Sequence, residues 1–394
     1  MSNSVAQKET IRTDSVNPGV LKRPLRVLMV VDGRYPATGG AEMQARLLSS
    51  SLAAAGHAVH VLVPHLDRSL PVRGHVDGIP VTRLSYPRIK GLGAVLLNIR
   101  FALWLLRRQK SFDAIHIHMM HNLAAAAGWL KPWLKPQVVA KVSGAAEFQG
   151  GILDPTLRNG TVQRILLRGA QRLDSYQCIS LRTVKIMEEA GFPAERLHHV
   201  PNAVDLVRFK PPPVRNQTGL HAVFVGRHVP VKGLDVLLKA WALGEWPANS
   251  QLTIAGDGPE RERLIAMAKD LGIEKSVKFP GLVQDVPALL SDNNLYVQAS
   301  HQEGLPNAVL EAMSCALPVV ATRVSGHEDI ITDEETGFLV PPNDPLALST
   351  VLNRLAYQQE LRVEMGAAAR KYVERKFSTS TVIESLTKLY KKPA

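Results

Sequence analysis

The sequence predicts an α/β protein with two doubly wound domains that face each other across a cleft. The chain has 394 residues, more than the ~250–300 residues at which a single hydrophobic core usually divides. Short apolar runs rich in β-branched residues alternate with helical patterns in both halves, as in parallel sheets. A stretch rich in proline and turn residues, 200–217, separates the two halves.

The first half contains five runs with the composition of strands. Residues 1–22 are polar and lack the apolar stretch of a signal peptide, so we predict a disordered tail there and an N-terminal domain over 23–205. A helical pattern over 41–55 ends at Gly56 and completes a βαβ unit with the first two strands. The strands are predicted at 25–31, 59–63, 112–118, 137–143 and 174–180.

The longest apolar run is Leu92–Leu106. It is shorter than the ~20 residues that a membrane-spanning helix needs, and Arg100 interrupts it. We therefore predict a buried crossover helix, with membrane contact along one side as the alternative.

The alternation restarts after the connection and continues almost to the end of the chain. We predict a linker at 206–217, a C-terminal domain over 218–375, and a last helix over 376–394 that packs back toward the N-terminal domain. The strands are predicted at 221–226, 251–256, 276–281, 295–300 and 317–322, and the helices at 233–243, 259–271, 285–292, 306–315 and 345–356. Ligands of such sheets bind beyond the carboxyl ends of the strands.

The two cysteines, Cys178 and Cys315, each lie within an apolar stretch, and no Cys/His cluster accompanies them. A disulfide framework and a zinc site are therefore not supported. We interpret both thiols as small buried hydrophobic side chains in a reducing compartment, and we expect the protein in the cytoplasm.

The net charge of +12 is unevenly distributed. Residues 1–210 hold 28 Lys and Arg against 14 Asp and Glu, whereas the remainder holds 19 against 21. A basic surface attracts polyanions such as nucleic acid or anionic lipid headgroups. The segment WLKPWLKP, which begins at Trp129, combines indoles with lysines as membrane interfaces do. A merely solvated surface is the alternative.

The most informative motif is His-Gln-Glu-Gly-Leu-Pro-Asn-Ala-Val-Leu-Glu-Ala-Met at 301–313. Pro306 fits the first turn of a helix, and the N–H groups of about Asn307 to Val309 would be free to hold an anion. Gly304 allows close approach of the backbone to a ligand. Glu303 and Glu311 could therefore converge on a nucleoside diphosphate sugar bound at the helix end. An ordinary helix start with acidic residues is the alternative.

A second motif, Gly226-Arg-His-Val-Pro-Val-Lys-Gly233, follows the strand at 221–226. Arg227 and Lys232 are five residues apart in one strand-to-helix loop. Fixed positive charge of this kind stabilises the negative charge that develops on a diphosphate leaving group. Two solvated basic residues are the alternative. Gly256-Asp-Gly-Pro259 forms another turn at a strand end.

The order of these motifs resembles that of the retaining glycosyltransferases of family 4 (glycosyl transferases group 1), which have the GT-B fold with two Rossmann-like domains. The resemblance covers nearly the whole chain and is densest over 221–345. The segments that carry it are GR-x4-KG, IAGDGP, FPGLVQDVPALL, EGLPNAVLEAM, LPVVAT and GFLVPPND.

The resemblance implies roles for individual residues of the C-terminal, nucleotide-sugar-binding domain. Arg227 and Lys232 would bind the donor diphosphate, and Glu303 would hold hydroxyls of the transferred sugar. Glu311 would bind the ribose hydroxyls. The donor would also contact the base-binding segment and the helix start, at Val283, Gly304, Leu305, Pro306 and Asn307.

In the N-terminal, acceptor-side domain the resemblance places Gly39 and Gly40 in a glycine-rich loop that approaches the donor phosphates and the acceptor. His118 of the His-x-His pair would touch the donor sugar. We expect His116 and His118 to point to opposite sides, so that at most one lines the cleft. Three segments depart from the family pattern: Pro201–Asp205 with Ala203 in place of Gly, Glu328–Ile331, and Ser143–Glu147.

The predicted function is transfer of a hexosyl unit from a nucleotide-diphosphate sugar to a lipid-linked or oligosaccharide acceptor. The resemblance implies retention of the anomeric configuration without a metal ion or other cofactor, and the departing phosphate would take the acceptor's proton. The setting would be exopolysaccharide or lipopolysaccharide assembly, with the basic N-terminal domain peripheral on the inner face of the cytoplasmic membrane.

Two alternatives remain open. A nucleotide-sugar epimerase with the GT-B fold would share the donor site but would need no acceptor. A basic polyanion-binding protein without catalysis would explain the charge. Nucleic acid is not an expected partner, because only 5% of the residues are aromatic and no nucleic-acid-binding motif occurs.

Overall fold

The computed structural model describes residues 23–391 except 38, 91, 144, 149, 158–159 and 216–217. The predicted tail at 1–22 lies outside the described residues. Internal contacts divide the chain into two units. The N-terminal unit comprises the chain up to Gln177, Met187–His198 and the segment from Ile383 onward, and the C-terminal unit comprises Cys178–Ile186 and His199–Val382.

Each unit is built on a largely parallel sheet with helical crossovers, so the predicted class of two Rossmann-like domains is confirmed. In the described N-terminal unit the sheet has eight strands in the order β3-β4-β2-β1-β5-β6-β7-β8. The strands are β1 (Arg26–Val31), β2 (Ala58–Pro64), β3 (Arg73–Val76), β4 (Ile79–Leu84), β5 (Ala114–His118), β6 (Gln137–Val142), β7 (Ser175–Cys178) and β8 (Leu197–His199).

Strand β1 lies at the centre of this sheet, between β2 and β5. Every residue of Val27–Val31 is fully buried, because helices cover both faces of a parallel sheet. The chain leaves β1 toward β2 on one side and later reaches β5 on the other. The loops that follow β1 and β5 therefore diverge at a topological switch point, where such sheets bind their ligands.

An antiparallel hairpin at the sheet edge was not predicted. Strands β3 and β4 are joined by Asp77 and Gly78, whose φ angles are 50° and 77°. Asp-Gly with positive φ at both positions is the preferred two-residue hairpin turn, so the signal was present in the sequence. The short, polar β3 lacks the apolar composition by which the other strands were recognised.

The helices of the N-terminal unit fill the crossovers. They are α1 (Gly40–Ala54), α2 (Gly93–Arg108), α3 (Asn122–Leu130), α4 (Ala145–Phe148), α5 (Thr161–Ala170) and α6 (Leu181–Glu189), of which α6 continues from the C-terminal unit. Helix α1 begins within one residue of its predicted start and packs on β1 and β2.

Helix α2 is the predicted crossover from β4 to β5, but the expectation that it is buried is wrong. Only Leu97, Phe101 and Leu105 are buried. Five apolar residues form an exposed stripe at helical spacing: Leu92 just before the helix, and Val95, Ile99, Leu103 and Leu106 within it. The run contains more apolar residues than one buried face of a helix can hold, so the remaining ones face outward. No helix in the described part of the chain is long and apolar enough to cross a bilayer.

The described C-terminal unit contains a six-stranded sheet in the order β11-β10-β9-β12-β13-β14, with all neighbouring strands parallel. The strands are β9 (His221–Val225), β10 (Gln251–Ala255), β11 (Val277–Gly281), β12 (Leu295–Gln298), β13 (Val319–Thr322) and β14 (Gly337–Val340). Numbered from β9, this is the 3-2-1-4-5-6 order of nucleotide-binding sheets, with its switch point between β9 and β12.

Two apolar layers cover this sheet because alternate residues of each strand face opposite sides. Ala222 and Phe224 join one layer with α7 and α12, whereas Val223 joins the other with α10 and α13. The helices are α7 (Leu234–Leu243), α8 (Arg261–Asp270), α9 (Val286–Ser291), α10 (Asn307–Ser314), α11 (Ser325–Glu328), α12 (Pro345–Tyr357), α13 (Gln359–Lys376) and α14 (Thr379–Leu389). From Ile383 onward the chain belongs to the N-terminal unit.

Candidate active site

The two charged motifs of the C-terminal unit lie side by side at the switch point of its sheet. The loop from Gly226 to Gly233 follows β9, and the loop from Ala299 to Pro306 follows β12. Strands β9 and β12 are hydrogen-bonded neighbours, so both loops leave from the same edge. The backbone N–H of His301 donates to the carbonyl of Val231 at 2.8 Å and ties the loops together.

Gly233 lets these loops approach each other. It has a left-handed backbone with φ 59°, and a Cβ at this position would collide with the carbonyl oxygen of Ala299. Only glycine meets both conditions without strain. Lys232 ends the short 3₁₀ turn Pro230–Lys232 immediately before Gly233, so the glycine positions its side chain beside the neighbouring loop.

The Glu303 carboxylate is the centre of the site. Its Oε1 accepts hydrogen bonds from Lys232 Nζ, Gln298 Nε2 and Ser300 Oγ, each at 2.6 Å. Burial acts against the charged form, but the Lys232 ammonium and the hydrogen-bond donors outweigh it and hold the pKa of Glu303 below its usual value. Glu303 is therefore an oriented, ionised acceptor at neutral pH.

Two residues of this network, Gln298 and Ser300, were not predicted from the sequence, and neither was His327, whose charge influences the pKa of Glu303. Gln298 is the last residue of β12, and Ser300 follows it by two residues. His327 in α11 is buried, and its Nδ1 contacts the carbonyl oxygen of Thr322 at 2.7 Å. Gln298 and Ser300 could have been found from their position at a strand end, whereas no local pattern marks His327.

Arg227 is exposed, in contrast to Lys232. Among the described residues its guanidinium has no ion-pair or hydrogen-bond partner. The loop after β9 therefore presents one unpaired cation and one that is neutralised by Glu303. Both are in reach of an anion that binds at the strand ends.

Helix α10 begins one residue later than predicted. Pro306 is its N-cap, with an extended backbone, rather than a residue of the first turn. The restraint on the residue before a proline keeps Leu305 out of the helical region as well. Leu305 is buried, and Asn202 Nδ2 donates to its carbonyl oxygen and to Asn307 Oδ1, at 3.3 and 2.9 Å. The Pro201–Asp205 motif thus supports the helix start.

Glu311 lies in the second turn of α10. Burial raises the pKa of its carboxyl to about 7, with Arg208 acting in the opposite direction. A carboxyl in this state exchanges its proton near neutral pH and can either donate to or accept from a ligand hydroxyl. The structure places Glu311 on the helix that follows the Glu303 loop, as the motif predicted.

Glycines allow the remaining loops at this edge of the sheet to pack closely against one another. A Cβ on Gly326 would lie 2.5 Å from the carbonyl oxygen of Gly304 and 2.9 Å from the Cβ of Glu303. Gly256 and Gly258 have φ angles of 131° and 156° and pack against the backbone of Gly226 and His228. The Gly256-Asp-Gly-Pro259 turn therefore supports the Arg227 loop. Val283 is partly buried in the loop after β11, at the same edge.

The predicted residues of the N-terminal unit lie at the switch point of their own sheet. Gly39 is the N-cap of α1, and Gly40 is its first residue. A Cβ on Gly39 would collide with the carboxylate of Glu42, so the glycine makes room for that side chain. His118 is the last residue of β5, directly across from Lys141 of β6.

The expectation that His116 and His118 point to opposite sides is wrong. Residues two apart on a strand share a face, and the two imidazole centroids are only 4.5 Å apart. Both side chains are fully buried; His116 Nδ1 contacts the Tyr390 hydroxyl at 2.7 Å. Burial lowers the pKa of His116 to about 3 and that of Lys141 to about 7. The His116 imidazole is therefore uncharged at neutral pH, and the Lys141 amine becomes largely uncharged above it.

The structure thus brings Arg227, Lys232, Glu303 and the start of α10 together within the C-terminal unit. Gly39, Gly40 and His118 lie at the corresponding edge of the N-terminal sheet. In the described residues, no group of three or more His, Cys, Asp and Glu side chains is arranged to hold a metal ion. The two cysteines are free and buried, as predicted.

Comparison with known families gives two matches that together span most of the chain. Residues 38–208 match the model described as "Glycosyltransferase Family 4", and residues 208–372 match "Glycosyl transferases group 1". The second match contains the site residues named above in the C-terminal unit except those of the Pro201–Asp205 segment.

Three similar proteins illustrate the relationship. The chain is 25% identical over 377 residues to the N-acetyl-alpha-D-glucosaminyl L-malate synthase of Bacillus anthracis, covering 90% of this chain and 94% of that protein. It is 29% identical over 307 residues to the D-inositol 3-phosphate glycosyltransferase of Saccharomonospora viridis, covering 71% and 70%. The crystal structure of HepE from Anabaena in complex with UDP has a TM-score of 0.76 and 20% identity, covering 92% and 99%.

Proposed function

The chain belongs to the glycosyltransferases of family 4, and on this basis we propose that it transfers a hexosyl unit from a nucleotide-diphosphate sugar with retention of configuration. Glycosyltransferase activity follows from the family. The donor class, the retention and the independence of metal ions are the proposed parts. HepE has been crystallised with UDP and with UDP-glucose, which supports a nucleotide-sugar donor.

The observation that carries this proposal is the pairing of Lys232 with Glu303 at the switch point of the C-terminal sheet. A donor has a diphosphate that attracts the ammonium and sugar hydroxyls that donate to the carboxylate. Binding would exchange the ion pair for these two contacts, so neither charge would be left buried without a partner. A ligand with only a diphosphate or only sugar hydroxyls would leave either the Glu303 carboxylate or the Lys232 ammonium without a partner.

The remaining residues complete the proposed donor site. Arg227 would bind the diphosphate together with Lys232, and the backbone of Gly304 to Asn307 would approach the anion at the start of α10. Glu311 would contact the ribose and Val283 the base. Positive charge from Arg227 and Lys232 would stabilise the leaving diphosphate, which is the part a metal ion plays in other transferases.

In the proposed mechanism the acceptor hydroxyl attacks from the face that the diphosphate leaves. The departing phosphate oxygen takes the proton of the acceptor hydroxyl as the glycosidic bond forms. Gly39 and Gly40 would leave room for the phosphates. His118 is fully buried in this structure, so its predicted contact with the donor sugar would require the side chains that cover it to move. No separate protein base is needed in this scheme.

The test is turnover with a panel of UDP- and GDP-sugars and glycan acceptors. Retention predicts that the anomeric signal of the product has the donor's configuration in NMR. Activity should survive EDTA, and its loss would contradict metal independence. A donor-only incubation that converts one sugar into its epimer would instead support the epimerase alternative.

The acceptor is proposed to be lipid-linked or a growing glycan, as in exopolysaccharide or lipopolysaccharide assembly at the inner face of the cytoplasmic membrane. The exposed apolar stripe of α2 supports a position at a membrane surface. Arg100, Arg107 and Arg108 are exposed on the same helix, and this combination suits an interface with anionic lipid.

Replacing Ile99 and Leu103 of the stripe by serine should reduce co-flotation with vesicles that contain phosphatidylglycerol. Each side chain contributes up to ~2 kcal/mol on burial in lipid, so we expect at least a tenfold decrease. Leu346 and Val363 are exposed apolar residues of the C-terminal unit and provide the matched control. Equal flotation of both double variants would contradict membrane contact through α2.

A further inference from the structure

A pocket of about 420 Å³ lies at the opposite edge of the N-terminal sheet from His118. Arg26 begins β1, Asp113 directly precedes β5, and Pro136 directly precedes β6, so the pocket is at the amino ends of three neighbouring strands. We call it the strand-start pocket. Since sheets of this class bind their substrates at the carboxyl ends, this pocket is separate from the proposed catalytic residues.

The strand-start pocket has an apolar floor and a cationic rim. Leu25, Phe112, Pro136 and the buried ring of Tyr390 form the floor. The rim carries four exposed cations, Arg23, Lys110, Lys135 and Lys391. None of the four is in an ion pair with another described residue.

The single carboxylate of the lining does not offset this charge. Asp113 Oδ1 accepts from Arg26 Nη2 at 2.8 Å, and Oδ2 accepts from the backbone N–H and the Nε of Arg26 at 2.9 and 3.2 Å. The hydrogen bonds from Arg26 hold the pKa of Asp113 below its usual value, so the two residues neutralise each other. Among the described residues, the rim therefore retains a net positive charge.

The wall of the pocket is fixed by Gln109. Its Nε2 donates to the carbonyl oxygen of Trp133 and its Oε1 accepts from the backbone N–H of Lys135, both at 2.8 Å. This holds the loop of Lys135 against the end of α2, which leads to Lys110. Lys110 and Lys135 thus project from anchored backbone, and the Trp133 side chain, 65% exposed, lies two residues before Lys135.

We propose that the strand-start pocket binds a phosphate group, carried by an anionic lipid headgroup or by a soluble phosphate ester. Four unpaired cations around one pocket attract a negatively charged phosphate and can donate hydrogen bonds to its oxygens. The apolar floor accommodates the organic part of the ligand, and the volume suits a small molecule or a headgroup. The exposed indole of Trp133 favours the lipid source, because indoles prefer the membrane interface.

The neighbouring pocket on the same edge, about 610 Å³ in volume, shows why the strand-start pocket stands apart. Its Arg172 stacks on Trp129, Arg196 donates to the carbonyl oxygen of Leu173, and Asp174 pairs with Lys131. Lys388 pairs with Glu384 as well, so most of its charged groups have partners within the protein, although Lys391 lines both pockets.

The test uses the full chain with Lys110→Gln and Lys135→Gln combined. Lys269→Gln with Lys275→Gln is the matched control, since both are exposed lysines of the C-terminal unit and the net charge changes equally. Binding is measured to vesicles of phosphatidylcholine with and without phosphatidylglycerol, and by calorimetry to inorganic pyrophosphate and to glycerol phosphate. The pocket variant should bind the anionic probe roughly 10–30-fold more weakly than the wild type, and the control should bind as the wild type does.

Loss confined to anionic vesicles would identify the lipid source, and loss with the soluble probes would identify a phosphate ester. No binding of any probe by the wild type, or equal losses in both double variants, would overturn the proposal. UDP binding is measured in parallel and should be unchanged in the pocket variant. Failure of the wild type to bind any nucleotide would contradict the proposed donor site but not the strand-start pocket.

Discussion

Lys232 and Glu303 form an ion pair in the structure, although each is proposed to bind a different part of the donor. The ammonium and the carboxylate are 2.6 Å apart, with Gln298 and Ser300 donating to the same oxygen. If a diphosphate takes the ammonium, Gln298 and Ser300 keep Glu303 in position to accept from a sugar hydroxyl. The network therefore orders the carboxylate before the donor arrives.

Lys232→Ala should lower kcat by roughly a hundred- to a thousandfold. A pair of opposite charges ~4 Å apart at a partly exposed site is worth up to about 4 kcal/mol, and 1.36 kcal/mol corresponds to tenfold in rate. Lys239→Ala is the control, an exposed lysine on the following helix. Steady-state kinetics and a thermal unfolding curve check the result, and an unchanged kcat would remove Lys232 from the site.

Glu311→Gln should stabilise the ligand-free protein at pH 8 and have little effect at pH 5. The folded-state pKa of Glu311 is raised to about 7, so the folded protein binds more protons than the unfolded chain between its ordinary pKa and about 7. The wild type accordingly loses stability as the pH rises through this range, by up to about 3 kcal/mol. The amide carries no charge and avoids this loss.

Chemical denaturation at both pH values measures this difference, and Glu364→Gln, an exposed glutamate of α13, is the control. The same Glu311→Gln variant should bind the donor more weakly, by ~1.5–3 kcal/mol if the ionised carboxylate accepts from the ribose. Equal stability gains at pH 5 and pH 8 would contradict the raised pKa.

The short helix α11 sets the position of the Glu303 loop. It begins at Ser325, and the absence of a side chain at Gly326 lets its first turn rest on the backbone of Gly304. Strands β12 and β13 are neighbours, so the elements that follow them come into contact at the sheet edge. A residue in a different loop thus controls the geometry of the Glu303 carboxylate.

Gly326→Ala should reduce kcat by at least tenfold, because the new Cβ would lie 2.5 Å from the Gly304 oxygen and push the Glu303 loop away. Gly93→Ala is the matched control, since its Cβ would meet no atom closer than 3.7 Å. Kinetics with the donor found in the panel provide the measurement. Wild-type activity with an intact fold would show that the loop adjusts without loss of function.

The N- and C-terminal segments of the chain meet within one unit. The N-terminal unit includes β1 near the start of the described chain and the segment from Ile383 near its end. Leu386 and Tyr390 are fully buried, and Tyr390 contacts His116. The stability of the N-terminal unit therefore depends on the last residues of the chain.

Ending the chain after Val382 should destabilise the N-terminal unit and leave the C-terminal unit intact. Loss of Ile383, Leu386 and Tyr390 removes buried side chains worth ~1.5–3 kcal/mol each. Hydrogen exchange should become faster in β1 and β5 and stay unchanged in β9 and β12. Tyr390→Phe, which removes only the hydroxyl, should show a smaller effect of ~1 kcal/mol. Faster exchange in β9 would contradict this division of stability.

The sequence by itself determined ten of the fourteen described strands, the motifs that follow them and the family. Apolar runs separated by turn residues identified ten strands, because a buried parallel strand needs a continuous apolar segment whatever its neighbours are. Arg227, Lys232, Glu303 and Glu311 could be named because each follows or lies near a predicted strand end. The hairpin of β3 and β4 escaped this approach because its strands are short and half polar.

Only the tertiary structure decided which of these groups meet. The order of strands brings β9 beside β12, and this places Lys232 on Glu303 across 71 residues of sequence. It also decided that His327 approaches Glu303, that one side of α2 is left uncovered, and that four cations surround a single pocket. Such contacts depend on packing between distant segments, and local sequence carries no record of that packing.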